Sequence, residues 1–392
     1  IVVEKGTPGF EIGKEEKKMG MEGSSTVPLY FTDCKVPVEN LLGEVGAGAG
    51  PAFCALNIGR FKLGASAIGG MALGMTHAVD YAKNRKAFGQ YISDFSSIQD
   101  KLASCAILTY TLESACYSVI GEQTEAISKL DKDDPKYYVK QGDITERYIA
   151  ENSIAKVYGS EAAEQVIDHC FQIYGGYGYI EEYPMAQAYR DNRINKIWEG
   201  TNEINRMLCG RAMITKSLSG ELGIKDYLVK VNDYCQNDSD SGYDGDLKVE
   251  VECVEAAKAV YALALNESLS KFGQDIGIEQ VVMENLADIL IYCYVADSTL
   301  TRVIQNKDYY SRTNQVVPEL CSRVYTAENG VRVIEHANKI FNRIFDGEIP
   351  VELSNKLNVL YKRLSLKTDT IGFKKIIGEK SVEAGGYPVK SF

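Results

Sequence analysis

The sequence of 392 residues has little of what metal centres, disulfide scaffolds and membrane spans need. It contains three histidines, and its ten cysteines never occur as Cys-x-x-Cys, so we expect no zinc site. Cysteines scattered through apolar stretches are typical of a reducing compartment. Charged residues interrupt every apolar stretch before it reaches roughly 18 positions, the length that predicts a transmembrane helix. These absences favour an intracellular globular protein.

A surplus of basic residues is also missing. The formal net charge is -11 at pH 7, which argues against nucleic acid as a partner and against a general attraction to anionic lipid. The first ten residues lack the cationic and apolar segments of a signal peptide and resemble a strand inside a domain. We therefore expect that part of the protein precedes residue 1.

Short β-rich runs occupy the first 45 residues, and the rest has helical spacing. Residues 1–3 and 26–31 predict too few strands for a stable sheet, so residues 1–45 are predicted to be the C-terminal part of a middle β-domain. Residues 46–220 are predicted to form a four-helix bundle, whose first helix is largely apolar, contains glycines and is predicted to be buried with its neighbours in close approach. Its helices are predicted at 52–84, 96–120, 138–170 and 202–217.

A polar, acidic run at 237–246 divides the helical part of the chain. It predicts an acidic linker at 221–249 and an extra helical domain at 250–392, so the fold class is mainly α with a β-domain remnant at the start. The helices of the extra domain are predicted at 250–272, 278–304, 318–345 and 352–365. Basic side chains outnumber acidic ones in 301–392, which indicates either a solvated face or a docking surface for a membrane or a partner.

Two glycine-rich segments invite a ligand. Residues 43–51 fail the dinucleotide fingerprint, because Pro51 stands where the third glycine is required and no βαβ unit surrounds the loop. Residues 171–179 place three glycines among aromatic side chains after a helix. Such a backbone is either open to a flat or phosphorylated ligand or is simply a tight turn at a helix end.

A carboxylate stands just before the start of a predicted helix. Thr201 or Asn202 can cap the helix at 202–217, which leaves Glu199 in the preceding turn beside Trp198. Burial favours the protonated form of a carboxyl group, whereas a helix dipole at this end favours the ionised form. The residues alone leave two interpretations open: a catalytic base, or an exposed turn residue.

Two arginines leave similar alternatives open. Arg85, at the end of the first helix, either complements the helix dipole or binds a pyrophosphate with its guanidinium group. Arg60 lies within a mostly apolar helix and needs an anion or an acceptor. That acceptor is either a structural carboxylate or a ligand.

Six segments, in unbroken order over residues 1–217, resemble signatures of the acyl-CoA dehydrogenases. They are TPGF at 7–10, MGM at 19–21, VPVENLLG at 36–43, RKAFG at 85–89, QIYGG at 172–176 and WEGTNEI at 198–204. Six collinear motifs are far more specific than any one of them. The resemblance implies FAD as cofactor. It also implies that Glu199 takes the α-proton of an acyl-CoA thioester while a β-hydride leaves to the flavin, which gives a trans-2-enoyl-CoA.

The resemblance implies binding roles as well. Residues that contact FAD held by a neighbouring subunit are Arg85, Phe88, Ile92, Gln172, Ile173, Tyr174, Gly175 and Gly176. Thr201 and Glu203 would contact the FAD of their own subunit. The residues that would lie along the acyl-CoA are Asn57, Arg60 and Gly200. A site shared between subunits implies a homodimer or a higher homo-oligomer. Some family members carry the base directly before the residue that matches Arg60, and Gly59 at that position leaves Glu199 as the candidate.

The extra helical domain resembles the very-long-chain branch, which implies long acyl chains in fatty-acid β-oxidation and a peripheral contact with a membrane. The implied electron acceptor is electron-transferring flavoprotein, and the implied compartment is the bacterial cytoplasm or the mitochondrial matrix. Family members begin with a helical domain and more of the β-domain, so we expect the 392 residues alone to be inactive. Two rival interpretations are a non-catalytic assembly protein that retains the fold, and an oxidase on a related fold.

Overall fold

Helices dominate the protein, and two short antiparallel strand pairs accompany them. The structure is a computed structural model that describes residues 1–236 and 242–390. Its strands are β1 (Phe10–Ile12), β2 (Leu29–Phe31), β3 (Lys86–Ala87) and β4 (Gln90–Tyr91). Its helices are α1 (Ala49–Asn84), α2 (Ser96–Ser128), α3 (Tyr137–Arg147), α4 (Ile149–Tyr174), α5 (Pro184–Asn192), α6 (Asn202–Leu218), α7 (Ile224–Gln236), α8 (Lys248–Phe272), α9 (Gln280–Gln305), α10 (Lys307–Arg312), α11 (Val317–Phe345), α12 (Val351–Leu364) and α13 (Thr370–Ala384).

The predicted four-helix bundle is formed by α1, α2, α4 and α6, with α4 in contact with the other three. Glycine lets α1 and α4 touch backbone to backbone, because a Cβ atom on Gly64 would lie 2.5 Å from the carbonyl oxygen of Ala155. Met71 and Met75 of α1 are fully buried in the bundle, together with Leu102 and Leu112 of α2. Each such side chain contributes about 1.5–3 kcal/mol by leaving water.

The prediction that the whole first helix is buried is wrong for its N-terminal part. Phe53 and Ile58 are exposed, whereas burial becomes regular from Leu63 onward. The buried side chains of this N-terminal part are the polar Asn57 and Arg60, and most of its apolar side chains form an exposed surface. The helix predicted at 138–170 is also two helices, since α3 ends and α4 begins at Tyr148, whose backbone leaves the helical conformation.

Residues 1–45 form a thin layer around one strand pair. Strand β1 pairs with β2, with Phe10 opposite Phe31, and these two rings stack with their centroids 5.0 Å apart. The strand predicted at 1–3 is not formed. Val2 instead exchanges hydrogen bonds with Asn40: its amide donates to the Asn40 carbonyl, and its own carbonyl accepts from Asn40 Nδ2. None of residues 1–45, all of which are described, is buried.

The second helical region packs directly on the bundle. Helices α8, α9, α11 and α12 contact one another, and both α9 and α13 lie on α2. One continuous apolar core therefore runs through both regions. The predicted linker at 221–249 needs correction: it contains α7, which is amphipathic and buries Val231 against α8 and α12. The run 237–241 lies outside the described residues.

A buried ion pair joins the two helical regions. Arg302 of α9 and Glu113 of α2 are 9% and 5% exposed, and the guanidinium Nη1 lies 2.9 Å from the carboxylate Oε2. The hydroxyl of Tyr387, beyond α13, donates to the same oxygen at 3.0 Å. Each charge thus has a partner, which is the condition under which a buried pair holds a fold together.

In residues 1–236 and 242–390, no helix combines the length and the apolar character needed to cross a bilayer. The same residues contain no cluster of three or more metal-ligating side chains.

Candidate active site

Glu199 lies in a sharp turn directly before α6. Both Glu199 (φ 57°) and Gly200 (φ 85°) adopt left-handed backbone conformations. Thr201 then caps the helix, as its Oγ1 accepts from the amide of Ile204 at 3.4 Å. A glutamate at positive φ is strained, and such strain persists only where the surroundings hold it.

The carboxylate of Glu199 lies against α1 at Gly59. A Cβ atom on Gly59 would be 2.7 Å from the carboxyl carbon Cδ and from Oε1, so only glycine leaves room for it. Atom Oε2 is buried and has no hydrogen-bond partner among the described residues. A buried carboxylate oxygen without a donor is costly to stability and is typical of a group kept free for chemistry.

Three buried side chains hold the carbonyl groups of this turn. Arg60 Nε donates to the carbonyl oxygen of Glu199 at 3.2 Å. Lys156 Nζ donates to the carbonyl oxygen of Gly200 at 2.8 Å. Asn205 Nδ2 donates to the same Gly200 oxygen at 2.9 Å. The donors come from α1, α4 and α6, so the bundle itself fixes the turn that carries Glu199.

Arg60 is only 6% exposed, as its position in an apolar helix predicted. Among the described residues its acceptor is the backbone carbonyl of Glu199 and not a structural carboxylate. Burial lowers the pKa of the guanidinium group, and the nearby Glu199 carboxylate partly offsets that effect.

Lys156 was not identified from the sequence. It is fully buried, and besides the Gly200 carbonyl it donates to Oδ1 of Asn202 at 2.7 Å. The sequence signal is weak: Lys156 is the only charged residue in the run SIAKVYG at 153–159. A lysine in an otherwise apolar helical stretch ordinarily extends its ammonium group to water.

Asn57, predicted to lie along the acyl-CoA, is engaged elsewhere. Its Nδ2 donates to the carbonyl of Thr145 at 2.7 Å, and its Oδ1 accepts from Asn152 at 3.3 Å. Asn152 in turn accepts from Gln123 at 2.9 Å. This buried chain of amides joins α1, α2, α3 and α4, so the side chain of Asn57 serves helix packing in this arrangement.

The residues predicted to contact a neighbouring subunit's FAD largely meet in one groove of about 590 Å³. Those that line it are Arg85, Ile92, Ile173, Tyr174, Gly175 and Gly176. A Cβ atom on Gly175 or Gly176 would meet nothing within 4 Å, so this backbone is open to a ligand. Arg85 lies beside the groove's aromatic wall, 5.8 Å from the ring centroid of Tyr177. Gly175 (φ 57°) also ends α4, as the helix-end alternative for 171–179 predicts.

The remaining predicted cofactor residues lie outside this groove. Phe88, at φ 51° and 96% exposed, and Gln172 are exposed but do not line it. Thr201 and Glu203 lie with Glu199 at the start of α6. Hydrogen bonds from backbone amide and from Thr201 lower the pKa of Glu203. The chain therefore presents two separate candidate surfaces, one at the groove and one at the Glu199 turn.

Comparison with known families identifies the family of the chain. Two family models, both described as acyl-CoA dehydrogenase, C-terminal domain, match residues 46–214 and 256–356, together more than half of the chain. The chain belongs to the acyl-CoA dehydrogenase family. The first acyl-CoA dehydrogenase match covers the bundle with Glu199, and the second lies within the helical region that follows it. The resemblance stated from six sequence segments is confirmed, and so is the mainly α fold class.

Individual relatives extend over most of the chain. A probable acyl-CoA dehydrogenase of Bacillus subtilis is 33% identical over 390 residues, which are 98% of this chain and 64% of that protein. The mitochondrial very long-chain specific acyl-CoA dehydrogenase of Bos taurus is 32% identical over 86% of this chain and 51% of its own length. The crystal structure of an acyl-CoA dehydrogenase complexed with FAD from Bacillus anthracis matches with a TM-score of 0.92 and 33% identity, over 99% of this chain and 66% of that chain. The chain thus spans between one half and two thirds of the length of these relatives.

Proposed function

We propose that this chain contributes the catalytic base and part of the flavin site to an FAD-dependent dehydrogenation of acyl-CoA to trans-2-enoyl-CoA. The observation on which this rests most directly is the Glu199 carboxylate. It is buried at one oxygen, lacks a described hydrogen-bond partner there, and is held by a strained turn against Gly59.

Glu199 acts as the base that removes the α-proton of the thioester. Its free Oε2 can accept a proton without first breaking a hydrogen bond. The backbone amide of Glu199 donates to no described residue, so it is free to donate to the thioester oxygen, where negative charge develops as the proton leaves. Because Arg60 and Lys156 fix the carbonyl side of the turn, the carboxylate meets substrate already oriented.

The residues of the groove fit a flavin dinucleotide. The open backbone at Gly175 and Gly176 can approach a pyrophosphate, Arg85 supplies a cation for it, and the aromatic wall gives a flat partner for a ring. Bound FAD supplies the acceptor for the β-hydride that must leave when the α-proton is taken. Since Thr201 and Glu203 lie at the other surface, we propose that two subunits share each FAD, which requires at least a homodimer.

Substrate and partners are proposed from family membership. The helical region after residue 250 supports a long acyl chain, because the bovine very long-chain relative matches over 86% of this chain. Electron-transferring flavoprotein is the proposed acceptor of the electrons, within fatty-acid β-oxidation. A membrane-docking role for 301–392 receives little support, since carboxylates pair with many of its basic side chains, namely Arg302, Lys307, Arg323, Lys339, Arg343, Lys356, Lys374 and Lys380.

The test uses the protein purified from its native source. We expect a visible flavin spectrum that bleaches when palmitoyl-CoA is added without oxygen, and a smaller response to butyryl-CoA. Reoxidation by electron-transferring flavoprotein rather than by dioxygen distinguishes a dehydrogenase from an oxidase. Bound flavin that never bleaches would contradict the proposal and favour a non-catalytic assembly protein. The same assay on the 392 residues alone tests the prediction that they are inactive by themselves.

A further inference from the structure

Lys156 is a buried cation without an anionic partner. Its side chain is fully buried in the N-terminal half of α4, and its ammonium group donates to two neutral oxygens, the Gly200 carbonyl at 2.8 Å and Asn202 Oδ1 at 2.7 Å. It forms no ion pair with any carboxylate of the described residues. Moving an ammonium group out of water costs several kcal/mol unless it is well compensated, so a purely structural role would be served better by an uncharged donor.

Both acceptors of Lys156 belong to the segment that positions Glu199. Gly200 is the next residue after Glu199, and Asn202 is the first residue of α6. Asn202 is held on its other side by Ser160 and Glu161, since its Nδ2 donates to their side chains at 3.1 and 2.9 Å. Lys156 therefore bridges the left-handed turn and the helix start and leaves neither free to rotate.

We propose that Lys156 is a positioning residue for Glu199: its ammonium group holds the turn in the left-handed conformation that places the carboxylate against Gly59. This inference deepens the proposed function and rests on it for its consequence in catalysis. A hydrogen bond from a charged donor is roughly twice as strong as one from a neutral donor, so the charge on Lys156 strengthens its hold on the turn.

The inference makes the turn sensitive to pH. Burial lowers the pKa of Lys156 to about 8. The charged groups that face it are Glu161 on α4, Glu203 on α6, Glu199 in the turn and Arg60 on α1. The three carboxylates favour the ammonium form and Arg60 disfavours it, and the balance leaves burial dominant. Deprotonation replaces the charge-assisted hydrogen bonds of Lys156 by weaker neutral ones while the amine stays buried, so we expect the turn to loosen as the pH rises through about 8.

Trp198 provides the measurement, because it is the only tryptophan of the chain and it precedes Glu199 directly. It is 40% exposed, so acrylamide can reach it. Trp198 is excited at the red edge of tyrosine absorption. As the pH of the wild-type protein passes 8, we expect a step in the emission of Trp198 and faster quenching of it by acrylamide. Lys156→Met removes the ammonium group, so fast quenching is expected at every pH without a step.

Two further variants keep this test decisive. Lys156→Arg retains a charge that does not titrate in this range, so quenching stays slow and the step disappears. Arg302→Met removes a buried cation far from the turn, and we expect the quenching and the step of the wild type. Should Lys156→Met fail to fold, the arginine variant still shows whether the step belongs to residue 156. The inference would be overturned if Lys156→Met kept the pH step and the quenching rate of the wild type. It would also be overturned if the pH step persisted in Lys156→Arg.

The fluorescence test needs neither flavin nor substrate, so its outcome is independent of the proposed function. In the holoenzyme, we expect Lys156→Met to lower the rate of flavin reduction at saturating acyl-CoA by about 10²-fold, the loss typical of a misplaced catalytic group, with substrate affinity nearly unchanged. If the fluorescence changes as expected but no protein shows flavin bleaching, the proposed function is contradicted. The role of Lys156 in the turn would still hold. Equal reduction rates in wild type and Lys156→Met would contradict the positioning role itself.

Discussion

Two buried cations in this protein are held in opposite ways. Arg302, between the two helical regions, pairs with the carboxylate of Glu113 at 2.9 Å, and Tyr387 completes that carboxylate's hydrogen bonds. Lys156, at the Glu199 turn, has only neutral oxygens as partners, and the nearby Glu199 carboxylate keeps an unpaired oxygen. In the first arrangement, each charged group has a hydrogen-bond partner of opposite charge. In the second, neither the Lys156 ammonium group nor the Glu199 carboxylate has such a partner among the described residues of the low-dielectric interior.

The difference separates stability from function. A buried pair that satisfies both charges stabilises an interface once formed and is costly to break. An unpaired carboxylate beside a strained turn lowers the free energy of unfolding, and such a cost is expected where a reacting group must remain available. Changes at the turn should therefore affect chemistry more than stability, and changes at Arg302 should do the reverse.

The largest expected effect is that of Glu199→Gln on chemistry. The amide cannot accept the α-proton, so we expect flavin reduction by acyl-CoA to slow by about 10²–10⁴-fold, the usual contribution of a general base. The free energy of unfolding should not fall, because no described hydrogen bond to Oε2 is lost and an unpaired buried charge is removed. Rapid-mixing absorbance and thermal unfolding measure the two. A variant that reduces flavin at the wild-type rate would break the comparison.

Arg302→Met should give the opposite result. It leaves Glu113 buried without its cation, so we expect a loss of about 3–5 kcal/mol in the free energy of unfolding. Lys307→Met is the matched control, because Lys307 and Asp246 form an exposed pair whose loss should leave the free energy of unfolding nearly unchanged. Denaturant titration measures both. Equal losses in the two variants would show that the buried pair adds nothing.

Gly59→Ala sharpens the functional side of the comparison. The new methyl group would lie 2.7 Å from the Glu199 carboxyl carbon and must displace it. We expect a fall of about 10²-fold in flavin reduction from a shift on the order of 1 Å. Gly69→Ala on the same helix is the control, since its Cβ would meet nothing within 4 Å. Similar rates in both alanine variants would mean that the carboxylate does not rest on Gly59.

The last expected effect is on the pH dependence of stability. Because the pKa of Lys156 is about 8 in the folded state and 10.5 is its ordinary value, the unfolded chain binds more protons between these values. The free energy of unfolding of the wild type, relative to Lys156→Met, should therefore rise as the pH rises from 8 to 10.5. Urea titrations at several pH values measure this difference. A relative stability that falls over this window would contradict the lowered pKa.

Much of the architecture could be predicted because local signals were strong. The helix predicted at 202–217 is Asn202–Leu218, since Thr201 supplies an ordinary cap. Arg60 could be marked as unusual because a guanidinium in an apolar helix needs an acceptor. The break at Tyr148 carries neither proline nor glycine, so helical spacing alone could not predict it.

The features that could not be predicted from sequence depend on packing between distant segments. Lys156 is 44 residues from Gly200 in sequence, and its burial results from the packing of α4 on α1 and α6. A lysine on a helix has no local signal that distinguishes a buried ammonium group from a solvated one. Asn57 similarly acquires its partners, Thr145 and Asn152, only when α1 meets α3 and α4.

The most direct test of the account is exchange of the α-hydrogen of bound acyl-CoA in D₂O, followed by mass spectrometry of the recovered thioester. Removal and return of that proton need the base and do not require net oxidation. The account predicts deuterium at the α-carbon with the wild-type holoenzyme and with Arg302→Met, and essentially none with Glu199→Gln. Exchange at the wild-type rate in Glu199→Gln would show that another group is the base.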